Sequence, residues 1–391
     1  MEVNDPLALL GGLSPAQFMR RHWQKKPLLV RQAIPKFRAL LSRAELFRLA
    51  GNEGVESRLV VQQPKGWRMK QGPFGPRSLP ALSMPRWSLL VQGVDLHDRR
   101  AHELLQQFRF VPDARMDDLM ISFATAGGGV GPHFDSYDVF LLQASGRRRW
   151  KIGKQKDLTL QRGVPLKILE HFEAEQEFVL EAGDMLYLPP RYAHDGLAEA
   201  CVDAEGKSAD CMTYSIGFRA PARAELAAEL LQRLADFQQE DDGASDRVMY
   251  RDAVQPATST PAAMPAALSE FAQLAVHDAL KNPAALACAL GEYLSEPKAS
   301  TWFEPPSVAW NPRHPDGICL NPRTRMLYDN RHVFMNGESY VARGADATLM
   351  RRLADTRRLD GRLLSRASGA AQDLLADWHE AGWLDHPDEG I

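Results

Sequence analysis

The most constraining feature of the chain is the stretch from Asp117 to Ala220, in which apolar residues recur in short alternating runs. Alternation with a period of two puts apolar side chains on one face of an extended strand, whereas helices repeat at about 3.6 residues. Glycine and proline interrupt the runs every few residues, as turns between strands do. The pattern predicts an antiparallel sheet system, and a jelly roll is the commonest such fold with a metal inside.

The turns and faces of this region can be assigned in part. Val139 to Gln143 and Arg147 to Ile152 flank Ser145-Gly146, which predicts a hairpin. The side chains of the last strand alternate between two faces. One face carries Met212, Tyr214, Ile216 and Phe218, and the other carries Thr213, Ser215 and Arg219. We expect Ser215 to face a substrate pocket if its face is the inner one, which the alternation alone does not decide.

After Pro221 the apolar residues recur at helical spacing, beginning with Leu226, Leu230, Leu231 and Leu234. These leucine-rich faces are wider than a lone connector requires, so we expect a helical dimerisation region and a two-fold homodimer. Near the end, a strand pair around Asn336-Gly337 and two following helices are compatible with a winged-helix unit.

The chain is therefore expected to be an α+β protein of three domains. Residues 1–221 would form the jelly roll with an N-terminal helical and strand extension, 222–300 the helical region, and 301–391 a winged-helix-like domain. A chain of 391 residues is too long for one ordinary core.

Composition excludes several function classes. The formal net charge is -3 and the sequence pI is about 6.4, without the basic excess of generic nucleic-acid or membrane binders. Residues 301–391 contain eleven arginines, no lysine and thirteen acids, so strong nucleic-acid binding is not expected. The four cysteines form no C-x-x-C pair, and no signal peptide or membrane span is recognisable. We expect a cytoplasmic protein without membrane association.

Four histidines occur in H-x-[DE] pairs, namely His133, His171, His314 and His386. Two ligands at positions i and i+2 of a strand point the same way, so such a pair can supply two of the three ligands of a non-haem iron. Only His133-Phe134-Asp135 follows a glycine-rich run, residues 126–132, that lets the backbone approach closely before a strand. His171 lies in an acidic stretch typical of a surface loop.

A distal histidine completes the pattern. Gly183-Asp184 begins a turn, a short apolar strand and a Pro189-Pro190 corner, after which comes His194. This arrangement brings a histidine back across a jelly roll to face an H-x-D pair. The sequence therefore predicts a metal site formed by His133, Asp135 and His194, which are also the expected catalytic residues.

The segment Asp118 to Gly153, with its glycine run, His133-Phe134-Asp135 and the Gly146 to Trp150 stretch, resembles the JmjC-type bacterial ribosomal oxygenases. The stretch His22 to Leu28 is similar to the same family. The resemblance implies a cupin-like JmjC jelly roll, a helical dimerisation region and a C-terminal winged helix. It also implies an oxygenase that uses iron(II), 2-oxoglutarate and dioxygen. Its substrate would be an arginine of large-subunit ribosomal protein sixteen, hydroxylated at carbon 3 of the arginine.

Further site residues follow from the same resemblance. It places the residue that binds the far carboxylate of 2-oxoglutarate at Arg148, with help from the hydroxyl of Ser122. Without the resemblance, strand alternation says only that Arg148 points to the opposite face from Arg147 and Arg149, so one of these two faces can look towards an iron. The three arginines could equally be a solvated strand end. Tyr137 could stack on a substrate guanidinium, or it could be a core tyrosine.

Alternative functions remain open at this level. The same triad would serve a histidyl hydroxylase or an N-methyl-lysine demethylase. A non-catalytic cupin-like binding module, or a regulator that uses a winged helix on DNA, is a different class of function.

Overall fold

The computed structural model describes residues 2–75, 77–202, 209–240, 249–253, 256–257, 262–299 and 301–387. The chain divides into two compact units. The first contains residues 2–220 together with 299, 301 and 302, and the second contains 221–298 and 303–387 where described. The division into three domains at 221 and 300 stays a prediction.

The first unit is a two-sheet structure with three α-helices in its described part. The strands are β1 (Leu28–Val30), β2 (Ser57–Gln63), β3 (Gly66–Gln71), β4 (Trp87–Val91), β5 (Met116–Ala124), β6 (Asp138–Ser145), β7 (Arg148–Gly153), β8 (Gln176–Leu180), β9 (Met185–Leu188), β10 (Ala193–Ala198) and β11 (Cys211–Phe218). The helices are α1 (Pro15–Arg21), α2 (Arg43–Leu49) and α3 (Arg99–Gln106).

The strands form the double sheet that the alternating pattern predicts. The large sheet has the order β1-β9-β6-β11-β5-β4-β2-β3, and the small sheet has the order β10-β7-β8. All the strand pairs among them are antiparallel. An isolated antiparallel bridge between His133 and His194 adds a further segment beside β10. The jelly-roll prediction is confirmed.

Each face of the large sheet has its own core. Alternate residues of β5, β6 and β11, among them Ile121, Phe140 and Tyr214, pack with the apolar faces of the N-terminal helices. The opposite residues form the inner face, where Val139 and Leu141 pack against the small sheet; their partners there are Trp150, Ile152 and Leu180. Because side chains alternate along a strand, Ser122 and Ser215 also lie on the inner face.

The N-terminal segment is attached to the large sheet by a buried polar group. Asp138 is fully buried, and it accepts hydrogen bonds from the Tyr187 hydroxyl at 2.6 Å and from the Gln24 amide at 3.0 Å. The Gln24 backbone N–H in turn donates to the Tyr187 hydroxyl oxygen at 2.8 Å. Trp23 stacks on the Tyr187 ring with centroids 6.0 Å apart. Trp23 therefore helps to hold the N-terminal segment against the large sheet.

The second unit combines helices with two small sheets. Its helices are α4 (Arg223–Glu240), α5 (Ala266–Ala279), α6 (Pro283–Ser295), α7 (Gly344–Thr356), α8 (Gly361–Leu364) and α9 (Gly369–Glu380). Its strands are β12 (Ile318–Leu320), β13 (Met326–Tyr328), β14 (His332–Met335), β15 (Glu338–Val341), β16 (Arg358–Leu359) and β17 (Leu384–Asp385). The predicted strand pair around Asn336-Gly337 is confirmed, because these two residues join β14 to β15 with φ of 51° and 93°, as a primed turn requires. The hairpin predicted at Ser145-Gly146 is wrong, because β6 pairs with β9 and β11 in the large sheet whereas β7 pairs with β8 and β10 in the small one.

Helix α6 packs directly on the β14 strand, which is why the helical region and the winged-helix elements share one unit. A side chain at Gly291 would collide with the ring of Phe334, since its Cβ would lie 2.2 Å from the ring. Within the described residues, no helix is both long and apolar enough to cross a membrane.

Removal of the Tyr187 hydroxyl should weaken the first unit. Burial, together with the Asp138 carboxylate, raises the pKa of Tyr187, so the phenol stays protonated and donates. We expect Tyr187→Phe to lower the free energy of unfolding by roughly 1.5–3 kcal/mol, because a buried carboxylate loses a hydrogen bond. Urea denaturation measures the change.

Tyr192→Phe is the matched control, since within the described residues the Tyr192 hydroxyl makes no hydrogen bond to the protein. Its free energy of unfolding should change by less than about 0.5 kcal/mol. Equal effects of the two substitutions would contradict the anchoring role of Tyr187.

Candidate metal centre

The backbone itself brings the two predicted histidine ligands together. The His133 N–H donates to the His194 carbonyl at 2.9 Å, and the His194 N–H donates to the His133 carbonyl at 2.8 Å. Residues that exchange both hydrogen bonds stand directly opposite each other, with side chains on the same face. The imidazole centroids are accordingly 4.2 Å apart.

Asp135 reaches the same place from two residues further along. Its carbonyl accepts a hydrogen bond from the Arg191 N–H at 2.7 Å, which holds the segment against the corner before His194. Asp135 Oδ2 lies 3.7 Å from His194 Nε2. One ligand atom each from His133, Asp135 and His194 can be chosen so that all lie within 4.8 Å of one another. Two imidazoles and one carboxylate are the donor set of a non-haem iron(II) site.

Backbone carbonyls select the tautomer of both histidines. His133 Nδ1 lies 2.8 Å from the Gly131 carbonyl, and His194 Nδ1 lies 2.9 Å from the Tyr192 carbonyl. A carbonyl can only accept, so Nδ1 carries the hydrogen in each ring. The unprotonated Nε2 is then free to bind a metal.

Burial keeps His194 neutral. Its side chain is almost fully buried, and burial together with the nearby His133 lowers the pKa of His194 to about 4, against the opposing influence of Asp135. A metal ion therefore does not have to displace a proton from this ring at neutral pH.

Two glycines of the predicted run are required by close approach of backbone. A Cβ at Gly128 would lie 2.4 Å from the Trp87 carbonyl oxygen, and one at Gly129 would lie 2.5 Å from the Gly196 carbonyl oxygen. Gly129 therefore lets the segment before His133 pass close to β10, the strand that holds His194.

Arg148 has the orientation expected of a co-substrate ligand. It pairs with Ala198 on β10, where His194 pairs with Ile152, so Arg148 and His194 share the inner face. Its side chain is buried, and its Nε and Nη2 find no hydrogen-bond partner among the described residues. An unpaired buried guanidinium is costly unless an anion joins it. The residues present therefore fit a carboxylate-bearing co-substrate.

The neighbouring arginines point away from this interior. Arg149 pairs with Glu177 and Glu199, and Arg147 lies 3.4 Å from Glu199. Both side chains are about as exposed as they are buried, as outward-facing positions on the strand would be. Arg148 therefore points inward on β7. Arg149, and Arg147 just before the strand, point outward and pair with glutamates.

A row of buried polar groups crosses the inner face of the large sheet. The Ser122 hydroxyl donates to the Thr213 carbonyl at 3.3 Å, and the Thr213 hydroxyl donates to Gln143 Oε1 at 2.8 Å. Ser122, Thr213 and Gln143 stand opposite one another on three neighbouring strands. Thr213 and Gln143 were not among the sequence predictions. The signal that could have found them is a polar residue at an inward position of an otherwise apolar strand.

Tyr137 lies two residues after Asp135, and its ring is at the end of the inner face marked by Gly217, two residues beyond Ser215. The side chain of Tyr137 is 37% exposed. A methyl group on Gly217 would lie 3.8 Å both from the Tyr137 ring and from a carboxylate oxygen of Asp118. Ser215 stands opposite Met120 on the same inner face. An aromatic ring and a carboxylate are therefore neighbours at this end.

The comparisons with known proteins agree with this geometry. A JmjC domain model matches residues 103–226, and a ROXA-like winged helix model matches residues 276–385. The chain is 35% identical to the Escherichia coli protein named ribosomal protein uL16 3-hydroxylase, over 75% of each chain. The chain belongs to the JmjC-type ribosomal oxygenase family.

Two further relatives show the breadth of this family. The structure of the E. coli ribosomal oxygenase YcfD in complex with cobalt and 2-oxoglutarate matches with a TM-score of 0.76 and 31% identity, covering 95% of this chain and 97% of that one. The Aedes aegypti protein named bifunctional lysine-specific demethylase and histidyl-hydroxylase NO66 is 26% identical over 45% of this chain, and the match covers 30% of that protein.

The other H-x-[DE] histidines are not part of the centre of this family member. His171 is exposed in a loop of the first unit. His314 and His386 belong to the second unit, where their rings stack with centroids 4.3 Å apart. Within the described residues, only the His133, Asp135 and His194 group brings three ligands together.

The three ligand variants His133→Ala, Asp135→Ala and His194→Ala should each lose metal binding while keeping the fold. Loss of a residue that only hydrogen-bonds a metal ligand typically weakens metal binding by roughly 10–100-fold. Loss of a direct ligand should therefore weaken metal binding by more than about 100-fold. Titration with Mn(II) or Co(II) measures the affinity, and circular dichroism checks the fold.

His171→Ala is the control, because it removes the histidine of the same short motif from an exposed loop. It should bind metal as the unmodified protein does. A folded Asp135→Ala protein with undiminished affinity would remove Asp135 from the site.

Proposed function

We propose that this chain is an iron(II)- and 2-oxoglutarate-dependent hydroxylase that modifies an arginine of ribosomal protein uL16 at carbon 3. The observation that carries the proposal is the shared inner face of β7 and β10. His194 and the unpaired Arg148 stand four residues apart in register along this strand pair, a separation of roughly 13 Å between backbones. An arginine side chain at one end and a metal-bound imidazole at the other leave room for a short dicarboxylate.

The relatives support the same chemistry. The E. coli relative named for uL16 3-hydroxylation aligns with three quarters of this chain. The YcfD structure that this chain resembles was solved with cobalt and 2-oxoglutarate. The donor set of His133, Asp135 and His194 suits iron(II) as well as cobalt.

Each proposed site residue has a specific task. His133, Asp135 and His194 would hold the iron(II) with two imidazole nitrogens and one carboxylate oxygen. Arg148 and Ser122 bind the far carboxylate of 2-oxoglutarate. When bound, iron(II), 2-oxoglutarate and dioxygen supply the oxidation, in which one oxygen atom enters a substrate C–H bond and the co-substrate becomes succinate and carbon dioxide.

Residues at the end of the inner face suit a cationic substrate. The Tyr137 ring can stack on a guanidinium, and the Asp118 carboxylate beside it complements the charge. Partial burial, with Asp135 and Asp118 nearby, raises the pKa of Tyr137, so its ring stays neutral. Ser215 shares the inner face, which supports a role for its hydroxyl in hydrogen-bonding the same side chain.

The remaining partner and location assignments follow from the charge pattern. The slight excess of acids in residues 301–391 supports recognition of a ribosomal protein rather than strong direct nucleic-acid binding. We propose a cytoplasmic enzyme, because the proposed substrate is a ribosomal protein.

Demethylation or histidine hydroxylation would use the same triad. The relative named for those activities aligns with less than half of the chain, whereas the uL16 3-hydroxylase aligns with three quarters. Arginine hydroxylation is therefore the better supported assignment.

Incubation of the protein with uL16, iron(II) and 2-oxoglutarate should add one oxygen atom to a single arginine. Peptide mass spectrometry locates the change and distinguishes it from loss of a methyl group or oxidation of a histidine. An unmodified uL16 in the presence of intact metal binding would contradict the proposed substrate.

In the same assay, Arg148→Ala should raise the 2-oxoglutarate requirement at least about tenfold, since a charge-assisted hydrogen bond contributes roughly 1.5–3 kcal/mol. Arg149→Ala is the matched control, because its guanidinium is already paired with glutamates. A similar response of the two variants would indicate a general electrostatic effect.

The helices of the second unit also support a homodimer. Several large apolar side chains on them are exposed: Leu231 at 50%, Leu268 at 40%, Leu274 at 58%, Val276 at 59%, Leu280 at 44% and Leu286 at 38%. Exposed apolar side chains in this number favour an interface, and two-fold pairing is the commonest assembly. Leu234 is only 5% exposed, so it belongs to the internal core of the unit and not to the proposed interface.

Leu231→Glu combined with Leu274→Glu should convert a dimer to a monomer, because the charges would be buried in the interface. Light scattering at micromolar concentration measures the mass. The exposed Glu229→Gln is a control that should leave the mass unchanged. A monomeric unmodified protein would contradict the dimer.

A further inference from the structure

Trp150 occupies the inner face between the two parts of the proposed active site. It stands on β7 opposite Gly196, one inward position from Arg148 and one from the His194 row. The Arg148 guanidinium carbon lies 5.7 Å from the Trp150 ring, and the His194 ring centroid lies 5.8 Å from it. Trp150 is thus in contact range both of Arg148, which is proposed to bind the co-substrate carboxylate, and of the metal ligand His194.

The indole nitrogen of Trp150 is a buried donor without an acceptor in the described residues. The residue is 5% exposed, and its Nε1 has no hydrogen-bond partner there. Trp87 shows the usual arrangement, since its buried Nε1 donates to the Ala81 carbonyl at 3.3 Å. Buried polar groups are nearly always satisfied, so an unsatisfied N–H beside an unsatisfied guanidinium points to a shared acceptor.

The position of the ring limits where this N–H can point. The face of the six-membered ring of the indole lies over Gly196, because a Cβ there would be 2.5–2.8 Å from the three consecutive ring atoms Cζ3, Cη2 and Cε3 of Trp150. The Nε1–H bond lies in the plane of the ring, so it points along the surface of β10 and not into its backbone.

We propose that the indole N–H of Trp150 donates a hydrogen bond to the far carboxylate of 2-oxoglutarate, next to Arg148. The inference rests on the proposed function. A carboxylate offers about four acceptor positions, of which the Arg148 Nε and Nη2 pair would use two. Trp150 would satisfy a third position, and the Ser122 hydroxyl would satisfy the fourth by rotating away from the Thr213 carbonyl to which it otherwise donates.

Direct binding of 2-oxoglutarate tests the proposal without turnover. Isothermal titration is performed on the full chain with Mn(II) and without dioxygen, for the unmodified protein, Trp150→Phe and Trp87→Phe. Trp150→Phe should bind 2-oxoglutarate at least about tenfold more weakly, because a hydrogen bond to a charged group is lost. Its affinity for Mn(II) alone should stay within about twofold, since the metal ligands are unchanged.

Trp87→Phe controls for the general effect of trimming a buried tryptophan in the same unit, because its N–H is satisfied by the protein. It should bind 2-oxoglutarate normally even if it is less stable. If Trp150→Phe does not fold, replacement of Trp150 by 3-benzothienylalanine, which keeps the ring shape but lacks the N–H, provides the same comparison.

The chemistry of the ligand gives a second readout. For 2-oxopentanoate, which lacks the far carboxylate, the unmodified protein and the Trp150 variant should have the same affinity. Equal loss for both ligands, or normal 2-oxoglutarate binding by the folded variant, would overturn the proposal. Failure of the unmodified protein to bind 2-oxoglutarate with Mn(II) would instead overturn the proposed function.

Discussion

The antiparallel bridge between His133 and His194 is the interaction on which the rest of the site depends. Its two backbone hydrogen bonds place the imidazoles opposite each other before any metal arrives. Preorganisation of this kind reduces the conformational cost of metal binding, because the ligands have little freedom left to lose. Gly129 makes the bridge possible, since any side chain there would strike the backbone of β10.

Buried polarity differs between the outer face of the large sheet and the interior between the two sheets. On the outer face, the buried Asp138 carboxylate accepts hydrogen bonds from Tyr187 and Gln24, which attaches the N-terminal segment. In the interior, β7 of the small sheet carries donors of Arg148 and Trp150 that find no acceptor among the described residues. A fully satisfied network contributes stability, whereas unsatisfied donors reduce it and create affinity for an anion. The sheet therefore separates a structural polar group from a functional one.

Much of the site could be predicted because its residues are close in sequence or alternate along one strand. His133 and Asp135 are only two residues apart, and alternation along β7 puts Arg148 and Arg149 on opposite faces. Thr213 and Gln143 could not be predicted as partners of Ser122. They are neighbours only through strand register, which depends on packing between segments far apart in the chain.

The helical region shows the same limit. Helical spacing marks Leu231 and Leu234 equally, yet one is half exposed and the other is buried. By itself, the sequence determined the alternating jelly-roll strands, the H-x-D pair with its distal histidine, and the hairpin at Asn336-Gly337. These depend on local periodicity and turn chemistry, which neighbouring residues encode. Only the tertiary structure decided which face of each sheet points to the interior, and that Leu231 is exposed while Leu234 is buried. It also decided that Trp150 lies between Arg148 and His194, because each of these features depends on packing between segments far apart in the chain.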